Sequence, residues 1–193
     1  MYTLDEVYTK EKIIPALEKV NLEVFRQFKS LSLDEFYYRP KGKWSAWDTL
    51  RHLNKTVDKI CLAMRLPKFV LGMMFGKNER RSKQFLEIKE VYLLQLKNGA
   101  GAGKYAPAHK SVPKTQSEAE AERRRVIKRW KKISKTLVKV VHNWTDSPLD
   151  KYQLPHPILG NITVREMLLF NLYHNLHHTN TVQQRVQEMH AGS

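Results

Sequence analysis

His174 and His178 stand four residues apart, a spacing that puts two imidazoles on one face of an α-helix. Residues so related have Cβ atoms about 5–6 Å apart, so both rings can converge on one ion at about 2.0–2.1 Å. Neutral imidazole is a lone-pair donor to divalent metals, and metal coordination is the chemistry this pair suggests. The rest of the face supports it. At about 100° per residue, Val164, Met167 and Leu168 share the face near the start of the segment, and Val182, Val186 and Met189 share it near the end. Between them lie Asn171, His174, Asn175 and His178. The helix is thus apolar inward at both ends and polar inward in the middle. Burying four polar side chains is costly unless each finds a partner. A metal held by the two histidines, with Asn171 and Asn175 supporting the ligands, would satisfy them. The competing explanation is a pair of core histidines bonded to the asparagines. His177 is turned about 60° away from His174 on the same wheel, which makes it an exposed residue or an outer partner of the site. Two ligands are too few for a stable centre. The third must come from elsewhere, and His52, His109, His142 and His156 are the candidates.

These residues need a scaffold, and the periodicity describes one. With no sustained apolar/polar alternation, a sheet is not expected and almost every long segment reads as helix. A first helix covers about 3–30, with Ile13, Leu17, Val20, Val24 and Phe28 at helical spacing and Pro15 setting off a short leading turn. Residues 31–43 read as a loop. A second helix begins after Ser45, with Asp48 three residues on, and stops before Pro67. Residues 67–80 read as an irregular apolar loop packed over one end of the molecule, and a shorter helix follows over 81–97. Glycines and prolines from Asn98 to Gln116 mark a mobile connection; Gly99-Ala-Gly-Ala-Gly103 lacks the preceding strand and the Gly-Lys-Ser/Thr of a phosphate cradle. A third helix is expected from Ser117, capped with Glu120, and carries a buried stripe including Val126, Trp130, Leu137 and Trp144. After a loop over 145–162, Thr163 and Glu166 cap a fourth helix running to about Glu188. The reading is all-α: one domain over residues 1–193, a four-helix bundle with long crossover connections and one or two extra short helices.

The net charge of +15 is the unusual bulk property. Much of it falls on the outer faces of the third helix, at Arg124, Lys128, Arg129, Lys132, Lys135 and Lys139. Nucleic-acid readers add exposed aromatics or a groove-entering element, whereas both tryptophans here lie on the buried stripe. A solvated basic face is therefore preferred to a nucleic-acid site. The single cysteine, Cys61, forms no internal disulfide. Neither a signal-peptide pattern nor a membrane span is visible, so a soluble cytoplasmic protein is expected. The apolar patch at Met73 and Met74 suggests either local packing, the preferred reading, or a homodimer contact.

Trp44-Ser45, followed by His52-Leu53, resembles the second-helix signature of the DinB-like superfamily. His156-Pro-Ile-Leu-Gly160, then Thr163-Val-Arg-Glu166, then His174 and His178, resembles that family's last loop and last helix. The resemblance covers most of the chain and keeps the order of elements. It implies a four-helix bundle whose site of three histidines binds nickel, zinc or a similar divalent ion, and it implies His52 as the third ligand. Family members often carry Gln where Thr181 stands here. Relatives include thiol-dependent S-transferases and a mycothiol-dependent isomerase. The resemblance therefore implies activation of a low-molecular-weight thiol for attack on an electrophile; the chain's own basic charge could draw in an acidic thiol. The alternatives are metal-dependent hydrolysis, or a non-catalytic stress-related or nucleic-acid-associated protein.

Overall fold

The computed structural model describes residues 4–108 and 111–191. Eight α-helices and one hairpin follow in chain order: α1 Lys10–Ser30, α2 Leu33–Tyr37, α3 Ala46–Met64, α4 Lys68–Phe75, α5 Phe85–Lys97, α6 Gln116–His142, α7 Asp146–Lys151, β1 Gln153–His156, β2 Gly160–Thr163 and α8 Val164–Ala191. Four of them, α1, α3, α6 and α8, make the bundle.

Polar bonds between the helices give their directions. Trp130 of α6 donates its indole N–H to the Asn21 carbonyl and Arg123 donates to Lys29, so α1 and α6 run antiparallel. Trp47 donates to Glu122 and Asn54 to the Val126 carbonyl, so α3 and α6 run parallel. Arg165 reaches the Tyr8 carbonyl and Gln27 that of Thr179, so α1 and α8 are also parallel. Two parallel neighbours cannot be joined by a tight turn. The chain between α3 and α6 therefore makes the expected long crossover, and α4 and α5 lie within it.

The caps that the sequence announces at Ser45 and Thr163 are both present. The Ser45 hydroxyl accepts from Asp48 N while the Asp48 carboxylate accepts from Ser45 N, and Thr163 and Glu166 do the same at α8. At α6 the cap is two residues earlier than expected, with Thr115 and Glu118 in place of Ser117 and Glu120. Both triplets fit the capping pattern, and the earlier one extends the helix. Pro15 does not break α1. The helix starts at Lys10 and runs on through Pro15 in its second turn, at the cost of one backbone hydrogen bond.

Three expectations are corrected. Residues 33–37 form a helical turn with its own capping box at Ser32 and Glu35. A small antiparallel hairpin, β1–β2, closes the 145–162 segment behind α7. Its strands are four residues long, too short to show alternation, and its turn ends at Gly160, whose φ of +71° favours glycine. Residues 68–75 are helical and do not simply pack inward. Leu71 is buried, but Phe69, Met73 and Met74 are exposed, Met73 by 82%. The homodimer expectation falls on Met73 and Met74, and both are exposed.

The start of α8 is anchored by two adjacent buried charges. Arg165, 1% exposed, pairs with Asp150 at 2.6 and 3.0 Å and with Asp146 at 2.7 Å, and covers the Tyr8 ring. Glu166 is wholly buried and accepts from the backbone amides of Lys83 and Thr163 at 2.8 Å and from Arg80 at 3.2 Å. Between them they tie α8 to the N-terminus, to α7 and to the crossover, and so fix the register at which its histidines face α3.

Candidate metal centre

The α3 cap sets one side of the site. Trp44 precedes the capping residue, and its carbonyl accepts from Arg185 of α8 at 2.6 Å. Two turns on, His52 points toward α8 and is only 3% exposed. It lies off the centre of α3's apolar stripe because α3 packs against both α6 and α8, and the second contact needs a second face.

His52, His174 and His178 come together. Nε2 of His174 lies 3.1 Å from Nε2 of His52 and 3.1 Å from Nε2 of His178. The three can hold a metal ion. An ion at about 2.0–2.1 Å from each nitrogen sets neighbouring nitrogens about 3.3 Å apart in tetrahedral geometry and about 2.9 Å apart in octahedral geometry. Both separations from His174 fall between these.

Protons fit the arrangement poorly. The His52 Nδ1–H donates to the Tyr105 carbonyl at 2.8 Å, because a carbonyl oxygen can only accept. When neutral, His52 must then present a bare lone pair at Nε2. One hydrogen on His174 Nε2 can serve only one of its two short contacts well, whereas a cation serves all three lone pairs. Burial, and then the neighbouring imidazoles, hold His174 and His178 well below the ordinary histidine range, and burial lowers His52 too. All three rings thus favour the neutral form that metals require.

The centre opens on a cavity of about 420 Å³. Trp44, Ile60, Phe75, Tyr92, Met167 and Phe170 make much of its wall. Among the described lining residues Lys59 alone carries a formal charge, and no carboxylate is present. Trp44 stacks on His178 with ring centres 5.9 Å apart and lies 5.1 Å from His52. On the far side Phe170 lies 5.1 Å from His174.

The other sequence candidates fall differently. Asn171 and Asn175 are buried as expected, but neither amide hydrogen-bonds to a described residue, so they do not bond the histidines. That also removes the reading in which asparagines satisfy a pair of core histidines. The support expected from them comes, for His52, from the Tyr105 carbonyl, which no side-chain pattern could announce. His177 is half-buried, stacks on Tyr173 and lines the cavity. Thr181 bonds back to the His177 carbonyl at 2.8 Å. His142 is exposed at the end of α6, His156 lies in the hairpin and lines the cavity, and His109 is outside the described residues.

A family model, the DinB superfamily, matches residues 16–182. The chain belongs to the DinB superfamily. No curated protein matches the sequence. Solved structures similar to it include the following two. YfiT from Bacillus subtilis, described as a probable metal-dependent hydrolase with an unusual four-helix bundle topology, is 16% identical; the match covers 97% of this chain and 93% of that one, with a TM-score of 0.53. The colibactin self-resistance protein ClbS, solved in complex with a dsDNA, is 12% identical over 93% of this chain and 96% of that one, with a TM-score of 0.50. At such identities the likeness is one of fold. No helix among the described residues is long and apolar enough to cross a membrane.

Proposed function

We propose that this DinB-superfamily chain is a metal-dependent enzyme that activates a low-molecular-weight thiol against a largely apolar electrophile. The observation that carries the reading is the convergence of three imidazole nitrogens at the end of an apolar cavity. His52, His174 and His178 would hold a divalent ion; the family resemblance implies zinc or nickel, and three imidazoles suit either. When bound, such an ion supplies Lewis acidity, lowering the pKa of a coordinated thiol or water.

The chain's own residues supply the rest. Trp44 and Phe170 flank the rings and keep water from them. Ile60, Phe75, Met167 and Tyr92 offer apolar surface to the body of an electrophile. Lys59, on the cavity wall, can meet an acidic group of the thiol. His177, held below the ordinary histidine range first by burial and then by Arg185, lines the cavity beside the ligands. The nucleophile does not come from the chain: burial pushes the Cys61 thiol up to about 11, and Cys61 is not among the lining residues.

Two observations favour a thiol over water. Among the described residues no carboxylate lines the cavity to serve as a general base for water. The wall is also mostly apolar, which suits a soft, weakly hydrated nucleophile. Hydrolysis is the second reading, favoured by the likeness to YfiT. Zinc- or nickel-loaded protein mixed with bacillithiol, mycothiol or glutathione and 1-chloro-2,4-dinitrobenzene separates the two. Thiol-dependent turnover that disappears in His174→Ala supports the first. Loaded protein inactive with all three thiols contradicts it.

A further inference from the structure

His156 ends β1, and its ring occupies an unusual position. Nδ1 accepts two backbone hydrogen bonds, from Ile158 N at 3.2 Å and from Leu159 N at 3.0 Å. An atom that accepts two N–H groups cannot itself carry hydrogen. The neutral ring must therefore place its proton on Nε2, and a second proton on Nδ1 would collide with both amides. Burial acts in the same sense, lowering the group to about 4. The tautomer is set by the hairpin.

The Nε2 edge faces away from that turn. Among the described residues no hydrogen-bond acceptor meets it, and the edge is open to the cavity rather than sealed in the core. The ring lines the cavity that ends at the three histidines. Phe170 stands between the two: its ring is 4.3 Å from that of His156 and 5.1 Å from that of His174. Open to the cavity, such a donor in a largely apolar wall is selective in its direction.

We propose that the His156 Nε2–H is a fixed hydrogen-bond donor to the compound held in the cavity, so that the site selects largely apolar molecules carrying a carbonyl-type oxygen. The proposal rests on the reading of this cavity as the substrate site and adds the substrate's class. An imidazole kept neutral can polarise such an oxygen without giving up its proton.

The test uses the full-length, metal-free protein with histidine-selective 15N labelling. Two probes of similar shape serve as ligands: acetophenone, with a carbonyl, and ethylbenzene, without one. Before ligand is added, His156 should show Nε2 protonated and Nδ1 bare. Acetophenone, but not ethylbenzene, should then shift the Nε2–H resonance. The variant is His156→Asn, whose side-chain oxygen can still accept the two hairpin amides. It should bind acetophenone about five-fold more weakly than wild type, the worth of one neutral hydrogen bond, and ethylbenzene equally well. A proton on Nδ1, or acetophenone leaving the Nε2–H unmoved, overturns the proposal. So does acetophenone binding unchanged by the substitution. Should the substitution weaken ethylbenzene as well, the wild-type resonance decides. No metal is present in these measurements, so their failure is distinct from failure of the metal reading, which shows in the metal content of the histidine variants.

Discussion

His52 donates Nδ1–H to the carbonyl of Tyr105 at 2.8 Å, and this bond leaves its Nε2 lone pair facing His174. The acceptor belongs to a 3-10 turn, Gly103–Tyr105, in the crossover between α5 and α6. A segment that looks like a simple connection thus orients one wall of the candidate centre. Such supporting bonds fix the tautomer and the direction of a ligand.

Gly103 has a φ of +47°, a conformation hostile to branched side chains. Gly103→Val meets no clash, since nothing lies within 4 Å of an added Cβ, but it must shift the turn's backbone. Metal affinity is expected to fall by about ten-fold, the low end for the loss of such a support. Competition with a chromophoric chelator measures it, and an unchanged affinity would remove Tyr105 from the account.

Arg165→Ala should destabilise the fold by about 3 kcal/mol. That is the low end for removing one partner of a buried pair, because Asp146 and Asp150 keep contact with water. Urea denaturation measures it. Metal binding by the folded variant should persist, since Glu166 still ties the start of α8 to the crossover and keeps its register.

Stability of the metal-free protein should decline with acid. Histidines kept neutral by burial bind fewer protons folded than unfolded, so their contribution is present above the unfolded value of about 6.5 and is lost as pH falls toward the folded one. For His156 the window runs from about 6.5 down to about 4. Denaturant midpoints across that range should fall with pH, and His156→Asn should flatten the profile. A flat wild-type profile would contradict the burial argument.

The basic face of α6 should behave as a solvated surface. Three of its cations already have acidic neighbours: Arg124 with Glu120, Arg125 with Glu122, and Arg129 with Asp58. Duplex binding, if measured by anisotropy, should be independent of sequence and vanish between about 50 and about 200 mM salt. Binding that survives would restore nucleic acid as a partner, as in the ClbS complex.

Much of the fold was legible in the sequence because long helices carry long signals. The stripes of α1, α3 and α6 repeat over several turns, and the caps at Ser45 and Thr163 stand at fixed offsets from their acidic partners. The hairpin and α7 were missed because a four- to six-residue element cannot establish a period. In the candidate site, His174 and His178 were readable from one helix. His52 entered by resemblance alone, since the face it uses becomes inward only when α3 meets α8. The Tyr105 carbonyl could not be read at all: every residue carries a carbonyl, and only the folded chain selects one.

Metal content tests the central claim most directly. Wild-type protein and the variants His52→Ala, His174→Ala and His178→Ala would be purified without chelator and measured by elemental analysis. The account predicts near-stoichiometric zinc, nickel or a similar divalent ion in wild type and its loss in each folded variant. Wild-type protein that takes up no divalent ion, or variants that retain all of it, would contradict the account.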